Sequence, residues 1–549
     1  MKLRQLLIIF FAALLTLTAC KKDEIIQTDV TPSENEGEDI ISDTTATADT
    51  VTIVFGNSGA TVTGTSSLVT ATVNGNQVTI TNSDTSVIRY ELSGSTSNGF
   101  FKLYSGKKQV IVLNSVDITN PNGAAINIQG PSSSPNSGKR TTIVLNGTNN
   151  LADGSSYTST PSTEDEKAVL FSEGKLVFGG SGSLAVTATG KAGITSDDYI
   201  LFQEGSIHIS SSSGHGVRGK DSVVVAGGSL EISVSANMKK GISSDSIVRI
   251  DGGSTVIRIT GNTAYDNEDG EYTGTAGVKA NTAFVMNGGT LDITNSGTGG
   301  KGISCNGTGT FNGGTVTIAT TGSNYTAGDV SSKGIKCDGD LLFDGSVVKV
   351  TAKSHEGIES KGSITINDGE VYSYSQSDDA INSASTFTIN GGFVCGHSAG
   401  NDGLDANGNF YIKGGVVYAI GKRSPEVAVD ANTERGYKLY VEGGTIIAIG
   451  GLERGSSLSQ SCYQASSWSQ NTWYALTIGN TTYAFKTPSS GGTQMIVSGS
   501  STPSLKSGVS ISGGTSYFNE TFAVDPSVSG GSNVNLSNYT GNGGGQPPH

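Results

Sequence analysis

A six-residue pattern recurs through the middle of the chain, and its spacing limits the fold more than any other feature. It reads AGITSD (192–197), HGVRGK (215–220), KGISSD (240–245), AGVKAN (276–281) and KGISCN (301–306). It continues as KGIKCD (333–338), EGIESK (356–361), DAINSA (379–384), DGLDAN (402–407) and VAVDAN (427–432). The central Gly or Ala advances by 23, 25, 36, 25, 32, 23, 23, 23 and 25 residues. Between copies lie pairs of short alternating apolar runs joined by Gly-Gly, such as VVVAGGSLEIS (223–233) and LYVEGGTIIAIG (439–450). Alternation of period two broken by glycine is the pattern of strand, turn, strand. A unit of 20 to 30 residues in tandem with no helical period is the mark of a β-solenoid.

Composition agrees with an all-β chain. Glycine contributes 78 of 549 residues, about twice its usual ~7% share, and charged residues make up only 15% against a usual ~25%. Ser, Thr, Asn and Gly favour turns, and β-branched residues favour strands, so long helices are not expected.

Within the repeat, the position after the central residue is always apolar: Ile194, Val217, Ile242, Val278, Ile303, Ile335, Ile358, Ile381, Leu404 and Val429. Two positions further on the residue is small, from Ser196 and Gly219 to Ala406 and Ala431. These columns should point inward and stack from coil to coil. Cys305 and Cys337 then lie on neighbouring rungs, as buried free thiols rather than a disulfide. The central Gly is expected at a corner, using its freedom at positive φ. The long steps of 36 and 32 place YDNEDGEYTG (265–274) and SNYTAGDVSS (323–332) in surface insertions. Such a loop is solvated, binds calcium, or forms a lip that touches a ligand.

Both ends of the chain read differently. MKLRQLLIIFFAALLTLTAC (1–20) resembles a bacterial lipoprotein signal, with Cys20 becoming the lipid-bearing terminus after cleavage. Lys21-Lys22-Asp23-Glu24 looks like a surface-export signal, so an outer-membrane lipoprotein exposed at the cell surface is expected, anchored to the membrane through its N-terminal lipid. Residues 21–50 are acidic and lack aromatics, as in a disordered tether. The repeats fill 51–450, and 451–549 is expected to form a small β cap with a Gly-rich tail, closing an end that would otherwise expose strand edges.

Charge narrows the function. A net charge of -14 argues against nucleic acid, whose phosphates need Lys and Arg to displace counterions. The columns flanking the central residue change sign along the repeat: Arg218, Lys240, Lys279, Lys301, Lys333 and Lys336 come first, then Glu356, Glu359, Asp379, Asp402, Asp405 and Asp430. Carboxylates stacked at a strand spacing of ~4.8 Å repel by roughly 3 kcal/mol per pair at an effective dielectric of 20. A hard cation would remove that cost, and Ca²⁺ takes six to eight oxygen ligands. The candidate metal set is therefore Asp378, Asp379, Asn401, Asp402 and Asp405, extended by Glu356, Glu359 and Asp430. Exposed Asp and Asn also form turns without any ion. The candidate ligand set is Arg218, Lys240, Lys301, Lys333 and Lys336, facing carboxylates or sulfates of a polysaccharide; the competing reading is lysine that discourages sheet-edge association.

YELSGSTSNGFFKLYSGKKQVIVLNSVDITNPNGAAINI (90–128), TIVLNGTNNLADG (142–154) and GVRGKDSVVVAGGSLEIS (216–233) resemble a family of bacterial carbohydrate-binding proteins. The resemblance implies a right-handed single-stranded parallel β-helix, similar to family 9 polysaccharide lyases and pectate lyases. It also implies calcium sites on the helix surface and binding of cell-wall polysaccharide such as polygalacturonate, without catalysis. The family's Asp-Gly-hydrophobic pattern is matched by Asn401, Asp402 and Asp405, with Asp379 one coil earlier. His215 and Lys240 stand where the family usually has Asp. A calcium-dependent lyase remains the enzymatic alternative, with Lys422, Arg423, Arg435 or Lys438 as base, and an adhesin-like surface protein is a further one. No Ser-His-Asp set or phosphate-binding loop is legible, and no catalytic residue is assigned.

Overall fold

The computed structural model describes residues 49–541, apart from 132, 135–137 and 159–163. The signal segment with Cys20 and nearly all of the acidic tether lie outside the described residues. The described chain is all-β: its elements are strands joined by turns, with two short 3₁₀ turns at Thr326–Gly328 and Thr433–Arg435. No helix among the described residues is long and apolar enough to cross a membrane.

Each repeat contributes three strands, and each pairs in parallel with its equivalent one repeat on. The strand that carries the hexapeptide stacks from Ala192–Ser196 through Lys240–Ser244 and Lys301–Cys305 to Leu404–Ala406, within a 14-stranded sheet. The other two strands of each repeat, such as Ser222–Val225 and Ser229–Val234, build two further parallel ladders in a 30-stranded sheet. Inward residues of all three ladders share one core cluster running from Val51 to Tyr539. The two inward columns are buried as the repeat requires, Ile194, Ile303 and Leu404 among them. Cys305 and Cys337 face each other across adjacent rungs, buried and free.

The central glycines do not turn corners. The strands Ala192–Ser196, Lys240–Ser244, Ala276–Ala280 and Lys301–Cys305 include them, and none has a left-handed φ. Positive φ falls instead on the second residue of each Gly-Gly turn, for example Gly228 (72°), Gly253 (70°), Gly392 (73°) and Gly415 (77°), where L side chains are disfavoured. The central column is glycine for lack of space. A Cβ at Gly193, Gly216, Gly241, Gly277 or Gly302 would overlap the Cγ2 of Ile209, Ile232, Ile257, Ile293 or Ile318, sixteen residues along the same repeat. It would also press on the carbonyl oxygen of the glycine one rung on. At later rungs the facing residue is smaller: Gly357 meets Ser373, and Ala380 occupies the glycine column with Gly396 in place of the isoleucine.

The repeat also runs further than its hexapeptide suggests. Val429 bridges in parallel to Leu452, and Leu439–Val441 pairs in parallel with Ser457–Leu458, so the register survives past residue 451. Beyond it, Met495–Ser498 and Cys462–Ala465 pair antiparallel at the end of the ladder. A six-stranded antiparallel sheet folds back along the side. There Tyr474, Leu476, Phe485, Phe518 and Phe522 cover the outer faces of Cys395, Tyr418 and Ile447 in a second core cluster. The C-terminal region therefore packs against a flank as well as closing an end.

Gly241→Val is expected to cost about 1–3 kcal/mol in urea unfolding, as overpacking does. Adding Ile257→Ala should restore part of that loss in a double-mutant cycle.

Candidate functional site

The parallel register brings the outward positions of successive repeats into columns. Lys336, Glu359, Asn382 and Asp405 pair in turn. The bridges Leu404 to Val429 and Val429 to Leu452 carry this column on to Asp430 and Glu453. In the neighbouring column, Lys333, Glu356, Asp379 and Asp402 follow one another, each carbonyl accepting a backbone N–H from the repeat before. These side chains are more enclosed than a surface column would be: Glu356 and Asp379 are each 5% exposed and Asp402 9%.

Asp402, Asp405 and Asp430 each bring a carboxylate oxygen within 4.8 Å of the other two. Asp379 lies against them, its Oδ1 accepting from the Asp402 N–H (3.0 Å) and its Oδ2 from Asn382 Nδ2 (3.3 Å). The Val427 N–H donates to Asp402 Oδ1 (2.5 Å). Glu453 extends the group and accepts from Thr433 Oγ1 (2.8 Å). No lysine, arginine or histidine forms an ion pair with Asp379, Asp402, Asp405 or Asp430 among the described residues. Burial, then the charges of Asp430 and Asp379, pushes the Asp402 carboxyl up to about 9. Asp405 is held well above the carboxylate range by burial and then by Asp379 and Asp430. Asp379 and Asp430 are raised chiefly by burial. Buried carboxylates crowded in this way stay protonated or take up a cation. The donors are all carboxylate oxygens, which suits a hard ion such as Ca²⁺ rather than zinc.

The other expected metal ligands are arranged differently. Lys333 Nζ lies 3.1 Å from Glu356 Oε2 and 2.6 Å from Glu359 Oε2. His355 Nδ1 is 2.9 Å from Asp378 Oδ2 and also contacts the Glu356 carboxylate. Burial opposes charge on His355, but its bonds to Asp378 and Glu356 outweigh burial and raise it to about 9. Glu356, Glu359 and Asp378 thus have counter-charges within the protein. Asn401 Nδ2 donates to Asp378 Oδ1 (3.2 Å), so Asn401 belongs with this second group. The single acidic ladder expected from the columns is two clusters, because the Lys333 and His355 side chains reach across to the neighbouring acids.

The basic column divides in the same way. Arg218 pairs with Asp245 (2.7 Å), Lys336 with Asp338, and Lys333 with its two glutamates. Lys240, Lys279 and Lys301 have no acidic partner at ion-pair distance among the described residues. Two features escape a reading of the columns. Glu453 belongs to an eleventh copy of the repeat, Gly451-Leu452-Glu453, which the 23-residue step from Ala428 would have located. Asp165, Glu173 and Asp197 also converge within 4.8 Å, but Lys167 already bridges Asp165 (2.8 Å) and Asp197 (2.5 Å).

Comparison with known families gives this geometry its context. The family described as carbohydrate-binding domain-containing protein matches residues 74–245, 231–325 and 298–403, overlapping segments that span more than half of the chain. The chain belongs to this carbohydrate-binding family. The match ends at Gly403, so Asp379 and Asp402 fall inside it, and Asp405, Asp430 and Glu453 lie beyond. Among solved structures, a polysaccharide lyase-like protein from C. thermocellum, studied as a gadolinium derivative, is a distant likeness. It shares 19% identity over 55% of this chain and 96% of its own, with a TM-score of 0.35. No curated protein matches this chain.

The raised carboxyls set a pH dependence. A carboxyl whose folded value lies above its unfolded value of about 3.9 favours the folded state below that value and loses this contribution as pH rises through the folded value. For Asp402 the window runs from about 4 to about 9. In EDTA, the melting temperature is expected to fall between pH 5 and pH 9, and Asp402→Asn should flatten the fall. Thermal unfolding followed by circular dichroism checks both.

Proposed function

We propose that this chain is a surface-exposed outer-membrane lipoprotein that holds an acidic polysaccharide such as polygalacturonate through calcium on one face of a β-helix, and that it does not cleave the polymer. The three ladders are read as successive turns of a right-handed single-stranded parallel β-helix. Pairing of each strand with its equivalent one repeat on supports that reading. Membership of a carbohydrate-binding family supports the saccharide partner. The lipoprotein assignment rests on the sequence around Cys20.

One observation carries the calcium reading: three carboxylates, Asp402, Asp405 and Asp430, converge with Asp379 against them and no internal counter-charge, whereas the neighbouring Glu356, Glu359 and Asp378 have one. Asp379, Asp402, Asp405 and Asp430 would hold the ion, with Glu453 beside them. When bound, Ca²⁺ supplies positive charge that neutralises this group and attracts a uronate carboxylate. The protein's part is to fix the oxygens. Asn382 orients Asp379, and the Val427 and Asp402 backbone N–H groups fix Asp402 and Asp379. Glu356, Glu359, Asp378 and Asn401 brace the neighbouring rungs through Lys333 and His355.

A calcium-dependent lyase would add a base to this arrangement. Lys422, Arg423, Arg435 and Lys438 are all exposed, and none forms an ion pair with the acidic group among the described residues. The Lys422 backbone N–H donates to the Asn401 carbonyl (3.0 Å), which keeps its loop beside the acidic rung, so Lys422 is the residue to test for catalysis.

Calcium titration of metal-free protein should release protons and raise the melting temperature. Polygalacturonate should retain the protein in calcium and release it in EDTA. Asp402→Ala and Asp405→Ala should weaken calcium binding by at least about tenfold, the loss of one charged ligand interaction. Unsaturated product absorbing in the ultraviolet, formed by the native protein and lost in Lys422→Ala, would overturn the non-catalytic reading.

A further inference from the structure

Three lysines on the basic half of the column face lack an acidic partner, and two insertions meet beside them. Lys240 and Lys301 flank Ala276, each paired with it across a rung, so they stand two strand spacings apart, roughly 9.6 Å. Lys279 projects from the rung between them. The Lys240 ammonium donates to the Met238 carbonyl (2.6 Å) and Lys279 to Asn306 Oδ1. The Lys301 ammonium has no hydrogen-bond partner among the described residues. Burial, followed by repulsion from neighbouring lysines, lowers Lys240 and Lys301 to about 8. Asp266 is an acid that Lys240 senses, yet it forms no ion pair with it. Lysine that guards a sheet edge explains none of this, because these rungs are paired on both sides and present no edge.

The insertions are anchored at this place. The hairpin Ala264–Asp266 with Glu271–Thr273 leads directly into Ala276, and the second insertion leads directly into Lys333. The rung between them is that of Lys301. Backbone bonds from Thr263 to Thr298 (3.0 Å) and from Gly299 to Ser323 (2.8 Å) tie the loops down. Tyr272 meets Tyr325 across that rung, ring centres 5.4 Å apart, and Tyr265 lies 5.1 Å from Tyr272. Tyr265 is 48% exposed and Tyr272 37%, among the few large apolar side chains left open to solvent. Tyrosine offers an apolar face with a polar tip, suited to a sugar ring.

We propose that Lys240, Lys279 and Lys301, with Tyr265, Tyr272 and Tyr325, form a second saccharide site that takes the carboxylate or sulfate ester of an anionic sugar directly on lysine, with no metal ion. This inference rests on the carbohydrate-binding reading above but uses residues separate from the acidic group. Partly dehydrated ammonium groups without a protein counter-charge gain most from an incoming anion. The tyrosines would stack on the adjoining ring and hold the chain along the rungs.

The test uses the full chain in EDTA, titrated calorimetrically with oligogalacturonate, a chondroitin sulfate oligosaccharide and a neutral cello-oligosaccharide. Binding of at least one anionic oligosaccharide should persist without calcium and weaken with added salt, and the oligosaccharide retained tells carboxylate from sulfate. Lys240→Met with Lys301→Met should weaken it by about tenfold or more, the loss of charge-assisted hydrogen bonds, without lowering the melting temperature, because the change removes enclosed charge. Tyr272→Ala, on an exposed hairpin, provides a second variant that spares the core and should also weaken binding. Asp402→Asn should leave this binding unchanged. The proposal is overturned if EDTA abolishes all anionic binding, or if both the lysine and the tyrosine variants bind as the native protein does.

Discussion

Across the core of six successive repeats, from Gly193 to Gly334, a residue without a Cβ lies against the branched side chain sixteen positions further on. Gly193 with Ile209, Gly241 with Ile257 and Gly302 with Ile318 leave no room between the facing strands for one more carbon. This contact fixes the distance between two of the three ladders and the alignment of each rung with the next. Because it repeats at nearly constant sequence spacing, successive rungs stack in register and their outward residues form columns.

Stacked columns create an electrostatic problem wherever like charges recur. Two answers are visible within four consecutive repeats. Around Glu356, Glu359 and Asp378 the protein provides its own cations, Lys333 and His355, within about hydrogen-bond distance. Around Asp379, Asp402, Asp405 and Asp430 it provides none, and the carboxyls rise out of their usual range. Lys240 and Lys301 mirror this on the basic side, displaced downward where Lys333, with two glutamates, is displaced upward. Uncompensated charge that is partly enclosed is costly in folding, so its presence on a saccharide-binding scaffold points to partners from outside the chain.

Much of the fold was legible because a parallel register converts sequence period directly into spatial neighbours. Ile303 beside Ile335 and Cys305 beside Cys337 could be paired from the repeat alone. The site was legible only as columns. Asp402, Asp405 and Asp430 were placed together because they are separated by whole repeats or three residues. The grouping of Glu356 and Asp378 with His355 was not, because it depends on where long side chains reach, and backbone register does not specify that. Glu453 escapes that reading because its copy carries Arg454 where the other copies have a small inward residue, although the step from Ala428 to Gly451 keeps the period.

By itself the sequence determined an all-β chain of stacked repeats, the inward columns, the sign change along the outward face and the kinship with carbohydrate-binding proteins. Local alternation and period suffice for these, since each depends on residues at fixed separations. Only the tertiary structure decided which charges are neutralised and which are not. It also decided that the central glycines serve packing rather than turning, that the C-terminal aromatics cover the flank of the last rungs, and that two insertions 58 residues apart, from Tyr265 to Ser323, meet beside Lys301. These depend on side-chain reach and on contacts between segments with no common period, so no repeat in the sequence encodes them.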